Sequence, residues 1–144
     1  MVINGANTYG PRQFPEKLLP LHILNAVEGR PLPIYGNGLN ERDWLFVDDH
    51  ANGIIRAMEA GAPGEQYHLG GTTQLANHDL VARLCTVMDK QRPRPEGGSY
   101  SALIEFVDDR PGHDLRYALD SGKALQDLDW IPRIALDDGL SKTV

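Results

Sequence analysis

Polar and charged side chains recur in the glycine- and proline-rich segments of this sequence, and their chemistry suits an anionic ligand. Asn7 lies in N-T-Y-G-P, Lys17 follows F-P-E, and Arg42 opens R-D-W. Arginine binds phosphate through two parallel N–H donors, lysine supplies a point charge, and asparagine amides pair with hydroxyl groups. We therefore expect these segments to bind a phosphorylated small molecule.

An aromatic ring and a second basic segment extend this pattern. Tyr35 ends the extended segment L-P-I-Y, and its ring can stack on a flat base. Arg110 and His113 lie in D-D-R-P-G-H-D, and Asn77 stands near the predicted start of a helix. Each residue taken alone is also typical of a solvated surface, but together they favour a phosphorylated ligand that carries a flat base.

Several familiar sites are missing from the sequence, which has no phosphate loop, no G-x-G-x-x-G fingerprint and no nucleophile elbow. The D-D-H segment could indicate a metal site, but helix capping by Asp48 and Asp49 explains it more simply. His22 lies on a predicted helix and is interpreted as a packed or surface histidine. The single cysteine, Cys85, excludes an internal disulfide and is interpreted as a core thiol. We predict no metal site.

The composition narrows the range of partners. The chain has 144 residues and a formal net charge of -6, which argues against binding to nucleic acid or to an anionic membrane surface. Its apolar stretches are shorter than the roughly 20 residues of a membrane span, and its N-terminus does not resemble a secretory signal. With one cysteine, these features predict a protein of the cytoplasm.

Hydrophobic periodicity and turn residues predict a mixed α/β (α+β) fold, in one domain over residues 1–144, with short strands interleaved with about four helices. The predicted helices span 18–28, 48–60, a segment from about 77, and 121–129, followed by a last helical turn from 137. The predicted strands span 2–4, 32–35, 42–47, 66–69, 103–107 and 116–119. The second helix is predicted to bury Ala51, Ile54, Ile55 and Met58.

Five segments, in order and spacing through essentially the whole chain, carry a resemblance to a known family. They are N-T-Y-G-P-R-Q-F-P-E-K-L-L-P, P-L-P-I-Y-G-N-G, R-D-W-L-F-V-D-D-H-A, G-E-Q-Y-H-L-G-G and D-D-R-P-G-H-D-L-R-Y-A-L-D. The chain resembles the C-terminal part of the dTDP-glucose 4,6-dehydratases, which are extended short-chain dehydrogenases/reductases. The R-D-W segment is shared with many nucleotide-sugar epimerases, whereas F-P-E-K-L and D-R-P-G-H-D-x-R-Y are more particular to these dehydratases.

The resemblance implies an activity and a set of site residues. The family is an NAD-dependent lyase that converts dTDP-glucose to dTDP-4-keto-6-deoxyglucose in deoxysugar biosynthesis. Thr8 falls at a position near the cofactor, where the family usually has asparagine, and Tyr117 is a weaker candidate for substrate contact. The implied substrate-binding residues are Asn7, Lys17, Leu18, Pro33, Ile34, Tyr35, Arg42, Asn77, Asp109, Arg110, Pro111, Gly112 and His113.

The family's NAD-binding Rossmann domain and its proton- and hydride-transferring groups fall upstream of N-T-Y-G-P, and residues 1–6 resemble the last strand of that domain. We therefore expect this chain alone to hold no catalytic residue, to bind no NAD and to lack dehydratase activity, with dTDP or a dTDP-sugar as its ligand. Two alternatives stay open. One is a stand-alone dTDP-sugar-binding module, and the other is a non-catalytic fragment that self-associates through the surface left by the missing domain.

Overall fold

The computed structural model describes residues 1–144, which form five helices and eight short strands. The helices are α1 (Leu18–Val27), α2 (Val47–Ala60), α3 (Asn77–Gln91), α4 (Gly122–Leu128) and α5 (Leu136–Thr143). The strands are β1 (Val2–Gly5), β2 (Asn7–Tyr9), β3 (Leu32–Tyr35), β4 (Glu41–Phe46), β5 (Gln66–Leu69), β6 (Thr73–Ala76), β7 (Ile104–Val107) and β8 (Arg116–Tyr117). The mixed α/β class is confirmed, with the last predicted helical turn forming a fifth helix.

The strands form three small sheets, and β4 is the most connected of them. β1 pairs with β5 and β3 pairs with β7, both in parallel. β4 pairs in parallel with β2 and with β8, and antiparallel with β6. The sequence analysis did not predict β2 or β6. β2 is a polar strand of three residues and β6 follows Gly70-Gly71 closely, and both sequence patterns are typical of loops.

Side chains of β4 alternate between two hydrophobic cores, as the period of two in a strand requires. Trp44 and Phe46 pack in the larger core with residues of α1, α3 and α5. Leu45 points the other way, into a smaller core that contains Leu69 of β5 and Trp130. The two cores therefore share one strand as a common wall.

The buried carboxylate of Asp43, on β4, binds the loop that follows β5. The Asp43 carboxylate accepts hydrogen bonds from the backbone N–H of Gly71, at 2.9 Å, and of Leu119, at 3.5 Å. Burial raises the pKa of Asp43, and the backbone donors oppose that shift. Gly71 lies so close to β4 that a Cβ there would overlap the carbonyl oxygen of Trp44. Only glycine fits this approach of backbone to backbone.

The bounds of α1 and the buried face of α3 follow the sequence pattern. α1 covers 18–27 and ends before Gly29, whose φ of 68° is the left-handed conformation expected just past a helix. α3 buries Leu80, Leu84 and Met88, and Cys85 is a buried thiol as predicted. Burial raises the pKa of Cys85 to about 11, which keeps this thiol protonated.

The predicted capping of α2 by Asp48 and Asp49 is wrong. α2 begins at Val47 with Phe46 as its N-cap, so Asp48 and Asp49 lie inside its first turn. The Asp49 carboxylate instead accepts hydrogen bonds from the backbone N–H groups of Arg133, at 3.0 Å, and Ile134, at 2.8 Å. Asn77 is the first residue of α3, and its neighbour Ala76 occupies the N-cap position. Ser121 occupies the N-cap position of α4, but its hydroxyl accepts from the N–H of Gly70 at 2.7 Å and makes no capping hydrogen bond.

The predicted buried face of α2 is also wrong. Gly53 and Ala57 face the smaller core, and their small size lets the helix approach Leu69 and Trp130 closely. This packing turns outward the apolar side chains that were predicted to be buried, namely Ala51, Ile54, Ile55 and Met58. Met58 is 74% exposed.

None of the five helices combines the length and the apolar composition that a membrane span requires.

Candidate functional site

A cleft of about 390 Å³ lies where four parts of the chain meet: the start of α1, β3, the start of α3 and the loop of residues 108–114. We call it the central cleft. It is lined by Glu16, Lys17, Leu18, Leu21, His22, Pro33, Ile34, Tyr35, Asn77, Arg110 and His113. Eight of these residues belong to the predicted substrate-binding set, so residues separated by up to 96 positions in sequence converge here.

The aromatic wall of the central cleft is held between basic side chains. The guanidinium carbon of Arg110 lies 5.1 Å from the centre of the Tyr35 ring, within the range of a cation–π contact. The His113 ring meets Tyr35 edge-on, with centroids 6.4 Å apart. The Tyr35 side of the cleft therefore offers a stacking surface next to a cation.

A hydrogen-bonded turn shapes the loop that carries these basic groups. The Asp109 carboxylate lies 2.7 Å from His113 Nδ1, and the same oxygen accepts from the backbone N–H of Arg110 at 2.8 Å. The hydrogen bond from His113, followed by that from Arg110, lowers the pKa of Asp109. Asp109 thus supports the loop from behind and does not line the central cleft.

Arg42 holds the far end of the same loop. Its guanidinium donates to the carbonyl oxygens of Glu41, at 2.7 Å, and Asp114, at 2.9 Å. Arg42 also lines a polar hollow of about 240 Å³, which we call the loop hollow, together with Arg110, Pro111, Gly112, His113 and Asp114. Because Arg110 and His113 line both the loop hollow and the central cleft, a ligand that spans the two meets two arginines.

Asn77 contributes a buried acceptor without a partner. It is 9% exposed, and its side-chain oxygen makes no hydrogen bond within the chain. Buried polar atoms are almost always satisfied in folded proteins. Asn77 therefore places a buried, unsatisfied amide oxygen among the residues of the central cleft.

Asn7 and Thr8 lie beside the central cleft, in a hollow of about 300 Å³ that also includes Lys17 and Leu18. The Thr8 hydroxyl lies 3.1 Å from the carbonyl oxygen of Ala6 and 2.7 Å from Nδ1 of His50. Burial lowers the pKa of His50. The hydroxyl is therefore already engaged on both sides.

Lys17 precedes α1 and lies between this hollow and the central cleft. Its ammonium group is 3.0 Å from the Glu16 carboxylate, and both side chains are largely exposed. Ion pairs of this exposed kind contribute little to stability, so Lys17 is free to turn towards an anion. Tyr117 lies on β8 and is not among the residues of the central cleft or of either hollow.

His22 is a site residue that the sequence analysis missed. It is 2% exposed and lines the central cleft one helical turn after Leu18. Its ring nitrogens lie 2.7 Å from the Leu18 carbonyl oxygen and 3.0 Å from the Pro33 carbonyl oxygen. The spacing of four from Leu18 was the available signal, because residues i and i+4 share a helix face.

No group of three or more His, Cys, Asp or Glu side chains is arranged to hold a metal ion. The chemistry of the central cleft is instead that of recognition: an aromatic face, guanidinium donors, an ammonium group and a buried amide. Such groups bind and orient an anionic ligand.

Comparison with known proteins matches nearly the whole chain to one family. The family model for GDP-mannose 4,6 dehydratase matches residues 1–143. The chain is similar to the dTDP-glucose 4,6-dehydratase of Neisseria gonorrhoeae, with 49% identity over 146 residues that cover 100% of this chain and 42% of that protein. The chain therefore spans less than half the length of this curated relative.

Solved structures extend the comparison to bound ligands. The chain is similar to DesIV, a dTDP-glucose 4,6-dehydratase from Streptomyces venezuelae with NAD and TYD bound, with a TM-score of 0.87, 40% identity, and coverage of 98% of this chain and 41% of that one. It is also similar to a UDP-glucuronic acid 4-epimerase from Bacillus cereus in complex with UDP-glucuronic acid and NAD. That match has a TM-score of 0.81 and 27% identity, and covers 97% of this chain and 42% of the epimerase.

Proposed function

We propose, since this chain belongs to the GDP-mannose 4,6 dehydratase family, that its central cleft binds the nucleoside diphosphate of dTDP-glucose. The chain then supplies the sugar-nucleotide-binding, C-terminal part of a dTDP-glucose 4,6-dehydratase. One observation carries the proposal: the stacking face of Tyr35, the guanidinium of Arg110 and the unsatisfied oxygen of Asn77 line one cleft. Together these groups match a base, a phosphate and a hydrogen-bond donor on the ligand.

We expect the ligand to extend over the central cleft and the two hollows beside it. Pro33 and Tyr35 on β3 form the wall for the thymine ring. Arg110 lines both the central cleft and the loop hollow, and together with Arg42 it neutralises the diphosphate where the two meet. Lys17 and Asn7 line the neighbouring hollow, where they meet the sugar end of the ligand.

The activity of the whole enzyme is part of the same proposal: dehydration of dTDP-glucose to dTDP-4-keto-6-deoxyglucose, in deoxysugar biosynthesis. Bound NAD would supply the hydride acceptor and donor for this reaction in the intact enzyme. We expect this chain alone not to bind NAD; the hydroxyl of Thr8, the residue expected near the cofactor, already contacts Ala6 and His50. A cytoplasmic location suits the free, buried thiol of Cys85.

Calorimetric titration of the chain with dTDP tests the proposed function. We expect saturable binding of dTDP, and much weaker binding of thymidine, because thymidine lacks the diphosphate that the arginines recognise. The absence of any heat with millimolar dTDP would contradict the proposal. In the same preparation with NAD and dTDP-glucose we expect no 4-keto-6-deoxyglucose, and its formation would show that the chain is a complete catalyst.

A second candidate role, self-association of the chain, is favoured by the outer face of α2. Ile54, Ile55 and Met58 are exposed there, and β1 pairs on one side only, with β5. An apolar helix face beside an unpaired strand edge is a typical protein-binding surface. We propose that a second copy of this chain covers it when the chain is present alone.

Sedimentation velocity over a range of concentrations tests this association. We expect a dimer at high concentration, and a shift towards monomer in Met58→Lys, because a charge at the centre of an apolar contact is costly to bury. Glu59→Lys, on the neighbouring position of the same helix, is the matched control and should still dimerise. A monomer at every concentration would contradict the proposal.

A further inference from the structure

The buried ring of His22 lies between two carbonyl oxygens. Nδ1 is 2.7 Å from the oxygen of Leu18, within α1, and Nε2 is 3.0 Å from the oxygen of Pro33, on β3. Carbonyl oxygens only accept hydrogen bonds, and a neutral imidazole carries a single N–H. Only the doubly protonated imidazolium can therefore satisfy both contacts at once.

Burial works against that charged form in the free chain. Burial lowers the pKa of His22, and the contacts with Leu18 and Pro33 partly offset that effect. When the ring is neutral, one of its nitrogens presents a lone pair to a carbonyl oxygen. An opposite charge nearby would shift the balance, because a neighbouring anion favours the protonated form of a histidine.

The central cleft is the place where such an anion would lie, because His22 lines it. We propose that His22 takes up a proton when a sugar nucleotide diphosphate occupies the central cleft. The imidazolium then joins α1 to β3 through both hydrogen bonds and adds a positive charge to the ligand site. This inference rests on the proposed function. It adds the uptake of a proton by His22 to the binding of the sugar nucleotide.

The central cleft contains other charged or titratable groups besides His22. Glu16 and Lys17 lie before α1, Tyr35 lies on β3, and Arg110 and His113 come from the loop, whereas α3 contributes only the neutral Asn77. His113, which is hydrogen-bonded to Asp109, is the one other imidazole that lines the central cleft.

Calorimetry with dTDP-glucose, in the absence of NAD, tests the proposal. This probe is a diphosphate diester, so its own charge is constant from pH 6 to 8.5, unlike that of dTDP. Titrations in buffers of different ionisation enthalpy should show uptake of up to one proton. The Kd should weaken by up to about tenfold per pH unit as the pH rises between the free and bound pKa values of His22. Below the pKa of free His22 it should be constant.

Two variants assign the proton. His22→Leu should abolish the uptake and flatten the pH dependence, whereas His113→Asn should retain both even if its affinity is lower. Nitrogen-15 chemical shifts of the His22 ring provide a readout that needs no variant, and both nitrogens should be protonated in the complex at pH 7.

The failures are distinguishable. If dTDP-glucose does not bind at any pH, the proposed function fails. If it binds without proton uptake, or if the uptake survives in His22→Leu and disappears in His113→Asn, the inference about His22 is wrong and the proposed function stands. A single protonated ring nitrogen in the complex would also overturn it.

Discussion

Gly71→Ala is expected to lower the free energy of unfolding by about 3 kcal/mol, a large part of the roughly 5–15 kcal/mol that stabilises a typical domain. The added Cβ would overlap the carbonyl oxygen of Trp44, and β4 cannot retreat because its side chains fill both cores. The shift would also break the hydrogen bond from Gly71 N–H to the buried Asp43 carboxylate. Urea denaturation followed by tryptophan fluorescence and circular dichroism measures the loss.

Gly122→Ala is the matched control for this change. A Cβ at Gly122 would meet only the side chain of Asp120, at 3.2 Å, and the residue lies in the first turn of α4, where alanine is favourable. We expect this variant to unfold within about 1 kcal/mol of the parent chain. Equal urea midpoints for Gly71→Ala and the parent would show that the loop after β5 can move away from β4.

Arg110→Ala is expected to weaken dTDP binding about thirtyfold, equivalent to about 2 kcal/mol. The change removes the guanidinium that stacks over Tyr35 and lines both the central cleft and the loop hollow. The affinity of Arg110→Lys for dTDP should lie between those of the parent chain and Arg110→Ala, because lysine keeps the charge but not the planar pair of donors. Titration calorimetry at fixed ionic strength provides the comparison.

Arg30→Ala is the control for the loss of one positive charge. Arg30 follows α1 on the exposed surface and pairs with Glu28. Its removal changes the net charge as Arg110→Ala does, but it should leave the Kd for dTDP within about twofold, because exposed distant charges are screened. Equal affinities for Arg110→Ala and the parent chain would place the diphosphate elsewhere.

The sequence alone predicted the parts of the fold that depend on local pattern. α1 and α3 have clear apolar periodicity and were predicted within a few residues. The buried face of α2 was predicted wrongly, because periodicity identifies apolar side chains but not the element that covers them. Gly53 and Ala57 determine which face packs, and small residues carry no hydrophobic signal. The tie from Asp49 to residues 133 and 134 is likewise a contact between distant segments that no local pattern contains.

The candidate site was predictable where it depended on short motifs. Lys17, Tyr35, Asn77 and Arg110 stand in segments whose resemblance to a family is specific, and the fold brings them to one cleft. The convergence itself follows from β3, the start of α3 and the loop of residues 108–114, which only the folded chain places together. His22 escaped notice because a histidine on an apolar helix face most often packs in a core. Its two carbonyl neighbours come from different elements, so only the structure identifies them.

The strand β4, whose side chains alternate between the two cores, also determines how the chain unfolds. Neither core can melt while the other keeps that strand in place, so the two behave as one cooperative unit. The Arg42 guanidinium, on β4, donates a hydrogen bond to the carbonyl oxygen of Asp114, and the backbone N–H of Glu41, also on β4, donates to the carbonyl oxygen of Leu115. The loop of residues 108–114 is thereby tied to β4 at its C-terminal end. We therefore expect this end of the loop to lose little conformational entropy when a ligand binds.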